Sequence, residues 1–157
     1  MTKQPEQVLN PSYQQLHNAC VDIAKEVIKT TSIKRIIGVA RGGLLPAVII
    51  SHVADKPLTV VEYSSKAGMG DDKSHTNTLP SLKPEDGPVL IVDDICDSGH
   101  TLNEIVHHFN SIGVEVMTAV LFYKTHDNQV MIPDFTWQEI SSNSGWVTFP
   151  FEVTKKI

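Results

Sequence analysis

Three carboxylates, Asp93, Asp94 and Asp97, stand at the end of an unbroken apolar run, Val89-Leu90-Ile91-Val92, and lead directly into Ser98-Gly99-His100-Thr101. The run follows Gly87-Pro88 and has the pattern of a strand buried on both faces of a parallel sheet. Beyond the turn, Leu102, Ile105, Val106 and Phe109 recur at helical spacing. A strand end, a glycine-containing turn and a helix start expose backbone N–H groups and the positive end of a helix dipole, which favours a phosphate at Ser98 to Thr101. The acidic pair repels such a group, so it must face hydroxyls, a cation or solvent. Ligands of open α/β sheets bind outside the carboxyl ends of strands, where all these residues would lie. The chemistry that fits is recognition of a phosphorylated, hydroxyl-rich ligand.

A second turn of the same kind follows Ile36-Ile37-Gly38-Val39-Ala40, which reads as a buried strand ending in Arg41-Gly42-Gly43. The glycines permit close approach of a ligand to the backbone, and Arg41 beside them could hold a second anionic group. Gly-Gly turns between strand and helix are common, so this turn alone decides little.

The elements that must carry these turns are legible as an alternation. Residues 1–9 form a polar lead-in, and Asn10-Pro11 suggests a helix start with Asn10 as the cap. Leu16, Cys20, Ile23 and Val27 make one apolar helical stripe. Leu44, Leu45, Val48, Ile49 and Val53 predict a second helix, Leu58 to Tyr63 a strand, and Val114 to Tyr123 another, ending at Lys124. Gly113 is placed just past the end of the helix that follows the acidic turn. Residues 64–80 are polar and glycine-containing, a length that is functional or disordered in a compact domain. Strand, helix and strand in alternation imply a parallel sheet flanked by helices. The tail differs: Pro133 to Trp137 and Trp146 to Phe151 suggest short strands around the polar turn 141–145, and their aromatics form a satellite core or a stacking surface for a flat ring.

The 157 residues suit one domain, 1–157, with ordinary globular composition, 41% apolar and 20% charged. A net charge of −5 with no basic run argues against nucleic acid, and no apolar run approaches the ~20 residues of a membrane span. The N-terminus lacks the apolar core of a signal peptide, and Cys20 and Cys96 give no disulfide framework, so a reducing cytoplasm is expected. A mildly acidic chain that binds a polyphosphate should rely on backbone amides and a divalent cation. The adjacent His107 and His108 point in different directions on a helix and make no metal pair. The glycine patterns of P-loop and dinucleotide enzymes are absent.

The stretch Val89 to Thr101 resembles the phosphoribosyl-pyrophosphate (PRPP) signature of the type I phosphoribosyltransferases: apolar strand, two acids, then Asp-Ser/Thr-Gly-X-Thr. Ala40-Arg41-Gly42-Gly43-Leu44-Leu45-Pro46 is similar to the Ser-Arg-Gly-Gly-Leu-Val-Pro pyrophosphate loop of its purine members. Phe122-Tyr123-Lys124 and Pro133-Asp134-Phe135-Thr136-Trp137 resemble Phe-Ala-Lys and Pro-Gln-Asp-Thr-Trp of the bacterial xanthine-guanine type. The resemblance implies the α/β type I phosphoribosyltransferase fold, with a flexible catalytic loop at 64–80 and a base-recognition hood of short strands at 125–157. It implies a Mg²⁺-dependent transfer of the phosphoribosyl group of PRPP to N9 of a 6-oxopurine, with release of pyrophosphate. It also implies a homo-oligomer, dimer or tetramer.

By the same resemblance, Asp97, Ser98, Gly99, His100 and Thr101 hold the 5′-phosphate, with Asp97 near N7 of the base, and His100 contributes its backbone. Asp93 and Asp94 lie beside the ribose hydroxyls and the metal ion; Arg41, Gly42 and Gly43 hold the pyrophosphate. A cis peptide is expected between Arg41 and Gly42. Lys124 would meet the oxygen at C6, Trp137 would stack on the ring, and Gln138 would offer its carbonyl to the 2-position. Asn143 stands where the bacterial enzymes carry an aspartate, which opens the choice between xanthine and guanine. Ser65 and Lys66 are the loop candidates, in place of the family's Ser-Tyr pair. Two other readings stay open: a non-catalytic nucleotide-binding regulator of the same fold, and a phosphoribosyltransferase for another nucleobase. Lys124 as a solvated strand-end lysine and Trp137 as plain core are the bland alternatives.

Overall fold

The structure, a computed structural model, describes residues 9–64 and 77–152. Its centre is a five-stranded sheet made of β1 (Arg35–Ala40), β2 (Leu58–Glu62), β3 (Val89–Cys96), β4 (Val116–Thr125) and β5 (Phe135–Ser141). The strand order is β2-β1-β3-β4-β5, and every pairing is parallel. The fold class expected from the alternation is therefore the one observed.

Both faces of the sheet are covered. Helices α1 (Tyr13–Thr30) and α2 (Leu44–Ala54) cover one, where Leu16, Cys20, Ile23 and Val27 meet Ile36, Leu90, Leu121 and Phe122 in one core. Helix α3 (His100–Ser111) covers the other, where Leu102, Ile105 and Phe109 meet Ile37, Ile91 and Val120. This two-sided burial explains why β3 begins with four consecutive apolar residues instead of alternating. Chain direction matters more than composition here. The helix after β1 lies on one face and the helix after β3 on the other, so the sheet has its switch point between these neighbouring strands. A crevice opens there, outside their carboxyl ends.

Two local expectations change. The first helix is capped by Ser12, not Asn10: the Ser12 hydroxyl accepts from Gln15 N–H at 3.1 Å and the Gln15 side chain accepts from Ser12 N–H at 2.9 Å. That reciprocal pair satisfies two otherwise orphaned donors, which a cap at Asn10 cannot do because its third helical position would be Tyr13. In the tail, the first expected short strand is β5, the seven-residue outer member of the main sheet, and Trp146 to Phe151 contains no strand. The buried Thr118 explains the register of β5. Its N–H donates to the Asp134 carboxylate at 2.8 Å, and its hydroxyl accepts from Asp134 N–H at 3.0 Å. Val147 and Phe149 then pack into the core on the α1 side, which uses them as anchors in place of strand pairing.

Among the described residues, no helix is long and apolar enough to cross a membrane.

Candidate active site

The turn after β3 forms a concave pocket lined by Asp93, Asp97, Ser98, Gly99, His100 and Thr101. Gly99 has φ of 91°, the left-handed region that glycine adopts without strain, and it starts α3 with no side-chain cap. No side chain caps this N-terminus, which suits an anion at the start of the helix. His100 and Asp97 are exposed, whereas Gly99 is buried.

The second turn lies beside the first. Gly43 N–H donates to the Val39 carbonyl at 2.9 Å, closing a turn through Ala40, Arg41 and Gly42. The cis peptide falls at Ala40–Arg41, one bond earlier than the Arg41–Gly42 position expected. The glycines themselves are required by contact. A Cβ on Gly42 would lie 2.0 Å from Asp94 Oδ2, and one on Gly43 would lie 2.4 Å from the Val92 carbonyl oxygen. Asp94 thus packs on the backbone of the Arg-Gly-Gly turn, and the two loops share one carboxylate. Arg41 is exposed at the rim of that contact.

Asp93 and Asp94 are half-buried neighbours, and both carboxyls are pushed above the usual carboxylate range. For Asp93 the largest cause is burial, followed by the charge of Asp94; for Asp94 it is burial, partly opposed by a side-chain hydrogen bond with Asp93 and then by backbone N–H donors. A pair of acids that resists ionisation favours a cation or hydroxyl donors close by. Among the described residues no three metal-ligating side chains gather into a ready-made metal site. Beneath the turn, burial pushes the Cys96 thiol up to about 12, so it stays a neutral packing group.

Asp97 turns the other way, toward the end of β4. Its carboxylate pairs with His126 Nε2 and has Lys124 Nζ at 4.0 Å. The Lys124 side chain is only 11% exposed, which counts against a freely solvated strand-end lysine. Its ammonium lies 6.0 Å from the centre of the Trp146 ring, and that ring is 77% exposed. Trp137, the expected stacking residue, is half-buried and edge-on to Phe122 with centroids 5.3 Å apart. Gln138 is half-buried on β5, and Asn143 is exposed in the turn that precedes Gly145. The structure therefore brings Asp93, Asp94, Asp97, Arg41 and Lys124 to one end of the sheet. Ser65 and Lys66 lie outside the described residues. Both necks of their loop are fastened: Ser64 N–H donates to Asn77 Oδ1 at 2.9 Å, Asn77 Nδ2 to Ser64 carbonyl at 3.1 Å, and Tyr63 hydroxyl to Glu104 on α3 at 3.0 Å.

Sequence reasoning missed His126 and Gln129. Each acts from an irregular segment, where no periodicity marks which side chains turn inward. Trp146 was expected only as one of the tail aromatics, without its place beside Lys124.

Comparison with known proteins agrees with this geometry. The family described as "Phosphoribosyl transferase domain" matches residues 12–156. The chain is similar to xanthine-guanine phosphoribosyltransferase of Idiomarina loihiensis, at 28% identity over 147 residues, covering 90% of this chain and 85% of that protein. It is 31% identical over 110 residues to orotate phosphoribosyltransferase of Sulfurisphaera tokodaii, covering 70% of this chain and 53% of that one. The crystal structure of purine phosphoribosyltransferase from Pyrococcus horikoshii superposes with a TM-score of 0.74 at 30% identity, covering 94% of this chain and 96% of that one. The match spans the phosphate turn, the glycine turn and the acid they share, and the chain belongs to the phosphoribosyltransferase family.

Proposed function

We propose that the chain transfers the 5-phosphoribosyl group of PRPP to N9 of a 6-oxopurine, releasing pyrophosphate. The observation that supports this reading best is the pairing of Lys124 with Asp97, 4.0 Å apart at the mouth of the phosphate turn. A lysine ammonium donates to an oxo group and has nothing to accept from the amino group of adenine, so guanine, xanthine and hypoxanthine are favoured. The likeness to relatives named for xanthine and guanine points the same way.

In the reaction, the C1′–oxygen bond to pyrophosphate breaks as the C1′–N9 bond forms, and the purine loses one proton. Positive charge develops on the ribose and negative charge on the leaving pyrophosphate. Arg41 and the Gly42 amide face the leaving group, while Gly43, whose N–H is taken by the Val39 carbonyl, lets the turn pack closely. Asp93 and Asp94 face the ribose, where their charge steadies the developing cation. Asp97 takes the proton from N7, and its contacts with His126 and Lys124 support that role by orienting the carboxylate. The carboxylate pair suits Mg²⁺ carried in on the diphosphate, since that ion is commonly held by one or two carboxylates plus substrate oxygens. The ion would neutralise the diphosphate charge. The exposed Trp146 supplies an aromatic surface beside Lys124, Trp137 packs edge-on to Phe122 as the second aromatic candidate, and Gln138 and Asn143 are the polar candidates for the 2-position.

The test offers PRPP and Mg²⁺ with guanine, xanthine, hypoxanthine, adenine, orotate and uracil in turn, and follows pyrophosphate release. Turnover with 6-oxopurines is the expected result. Turnover with orotate alone would replace the acceptor, and tight nucleotide binding without any turnover would make the chain a regulator.

A further inference from the structure

Gln129 lies in the irregular segment after β4, and its side chain reaches the phosphate turn from behind. The amide Nε2 lies 2.9 Å from the Asp97 carbonyl oxygen, 3.1 Å from that of Ser98 and 2.9 Å from that of Met131, and its two N–H groups are shared among them. The Val130 N–H adds a second donor to the Ser98 carbonyl at 3.2 Å. The two turn carbonyls belong to the peptide units Asp97–Ser98 and Ser98–Gly99. The cis bonds of the described residues are Ala40–Arg41 and Gly87–Pro88, so both of these units are trans. In a planar trans unit the N–H points opposite to the C=O. Drawing the two carbonyls back to Gln129 therefore turns the amides of Ser98 and Gly99 forward, to the start of α3 where an anion is held.

Two further observations give the side chain a purpose beyond local packing. Gln129 Oε1 is buried without a hydrogen-bond partner, and an apolar side chain of the same shape would carry no such orphan. The polarity of the residue is explained by what its nitrogen does for the turn. Behind Gly99 there is also no slack: a Cβ there would lie 3.1 Å from Met131 Cβ and 3.3 Å from Gln129 Nε2.

We propose that Gln129 is a positioning residue that presets the phosphate turn, by aiming the Ser98 and Gly99 amides at the 5′-phosphate. It touches no ligand itself. The inference rests on the reading of Ser98 to Thr101 as a phosphate site and is independent of which base is the acceptor.

Ribose 5-phosphate, which carries no base, is the probe. Calorimetric titration should give a dissociation constant about tenfold weaker for Gln129→Met than for the wild-type chain. Affinity for inorganic pyrophosphate, held by the other turn, should stay within about twofold, while the thermal midpoint should fall by a few degrees, because the Asp97 and Met131 carbonyls lose the Gln129 donor. Amide NMR of the wild-type chain gives a second readout that needs no variant: titration with ribose 5-phosphate should shift Ser98 and Gly99 N–H together. An unchanged dissociation constant in Gln129→Met, equal loss for both ligands, or still amides at Ser98 and Gly99 while the phosphate binds would each overturn the proposal. Absence of ribose 5-phosphate binding to the wild-type chain would overturn it together with the phosphate turn. Binding without 6-oxopurine turnover would overturn the acceptor assignment alone.

Discussion

Asp97 is exposed yet held, and that combination sets what its replacement should do. Its backbone belongs to the phosphate turn, while its carboxylate leans on His126 and faces Lys124. Asp97→Asn keeps the backbone and the shape but removes the proton acceptor. It should lower kcat by about 10²-fold or more, the scale of general-base assistance, with the ribose 5-phosphate affinity nearly unchanged. Steady-state kinetics beside a binding titration separate the two, and an equal loss of both would remove the role given to Asp97. Lys124→Ala tests the neighbouring group. Losing a charged hydrogen bond to the C6 oxygen should lower kcat/KM for 6-oxopurines by about 10²-fold, while the pyrophosphate affinity stays as it was. Unchanged kinetics would return Lys124 to a merely structural partner of Asp97.

Elements enter the site as turns, and turns were the part of it most legible in the sequence. Val89 to Thr101 could be read because a doubly buried strand, an acidic stop and a glycine-started helix each impose a residue type at a fixed position. The glycines at 42 and 43 carried the same kind of signal, and the contact with Asp94 gives its cause. What escaped was set by tertiary contact alone. Gln129 is an ordinary polar residue in a loop until the chain folds back against Asp97 and Ser98, and no periodicity announces that. The cap at Ser12 was hidden by an equally plausible Asn-Pro pair beside it. The edge strand β5 looked like a separate hood because its alternation is interrupted, with Trp137 and Gln138 both half-buried. Gly42→Ala tests the shared acid at this scale. Its methyl group must displace Asp94 or the turn, and overpacking of that sort costs about 1–3 kcal/mol. Because the strain is local to the crevice, pyrophosphate affinity should fall about tenfold or more while the circular dichroism spectrum is retained. A variant that binds pyrophosphate as the parent does would mean that the turn does not need this packing.

For the molecule as a whole, the acidic pair sets function against stability. Asp93 and Asp94 hold protons more tightly in the native chain than unfolded carboxyls do, chiefly because burial disfavours their charge. Over the range between the unfolded and the native values, the native state therefore carries more protons than the unfolded one, and stability falls as pH rises. The penalty is absent in acid and fully present once pH exceeds the raised native values. Asp93→Asn removes one charge without changing the volume, so at about pH 8 it should melt a few degrees above the wild-type chain, at roughly 2–4 °C per kcal/mol for a domain of this size. The difference should shrink as the pH is lowered and the wild-type pair takes up its proton. Pyrophosphate with Mg²⁺ should reverse the ranking: the wild-type chain gains stabilisation by ligand linkage, and the variant, lacking a carboxylate to meet the ion, gains less. Thermal melts across pH, with and without that ligand pair, decide the matter. If Asp93→Asn melts below the wild-type chain at every pH, Asp93 is a structural acid satisfied by its own hydrogen bonds. If it melts higher in alkali and responds less to the ligand, the chain keeps an unfavourable pair of charges at its crevice because the cation needs them there.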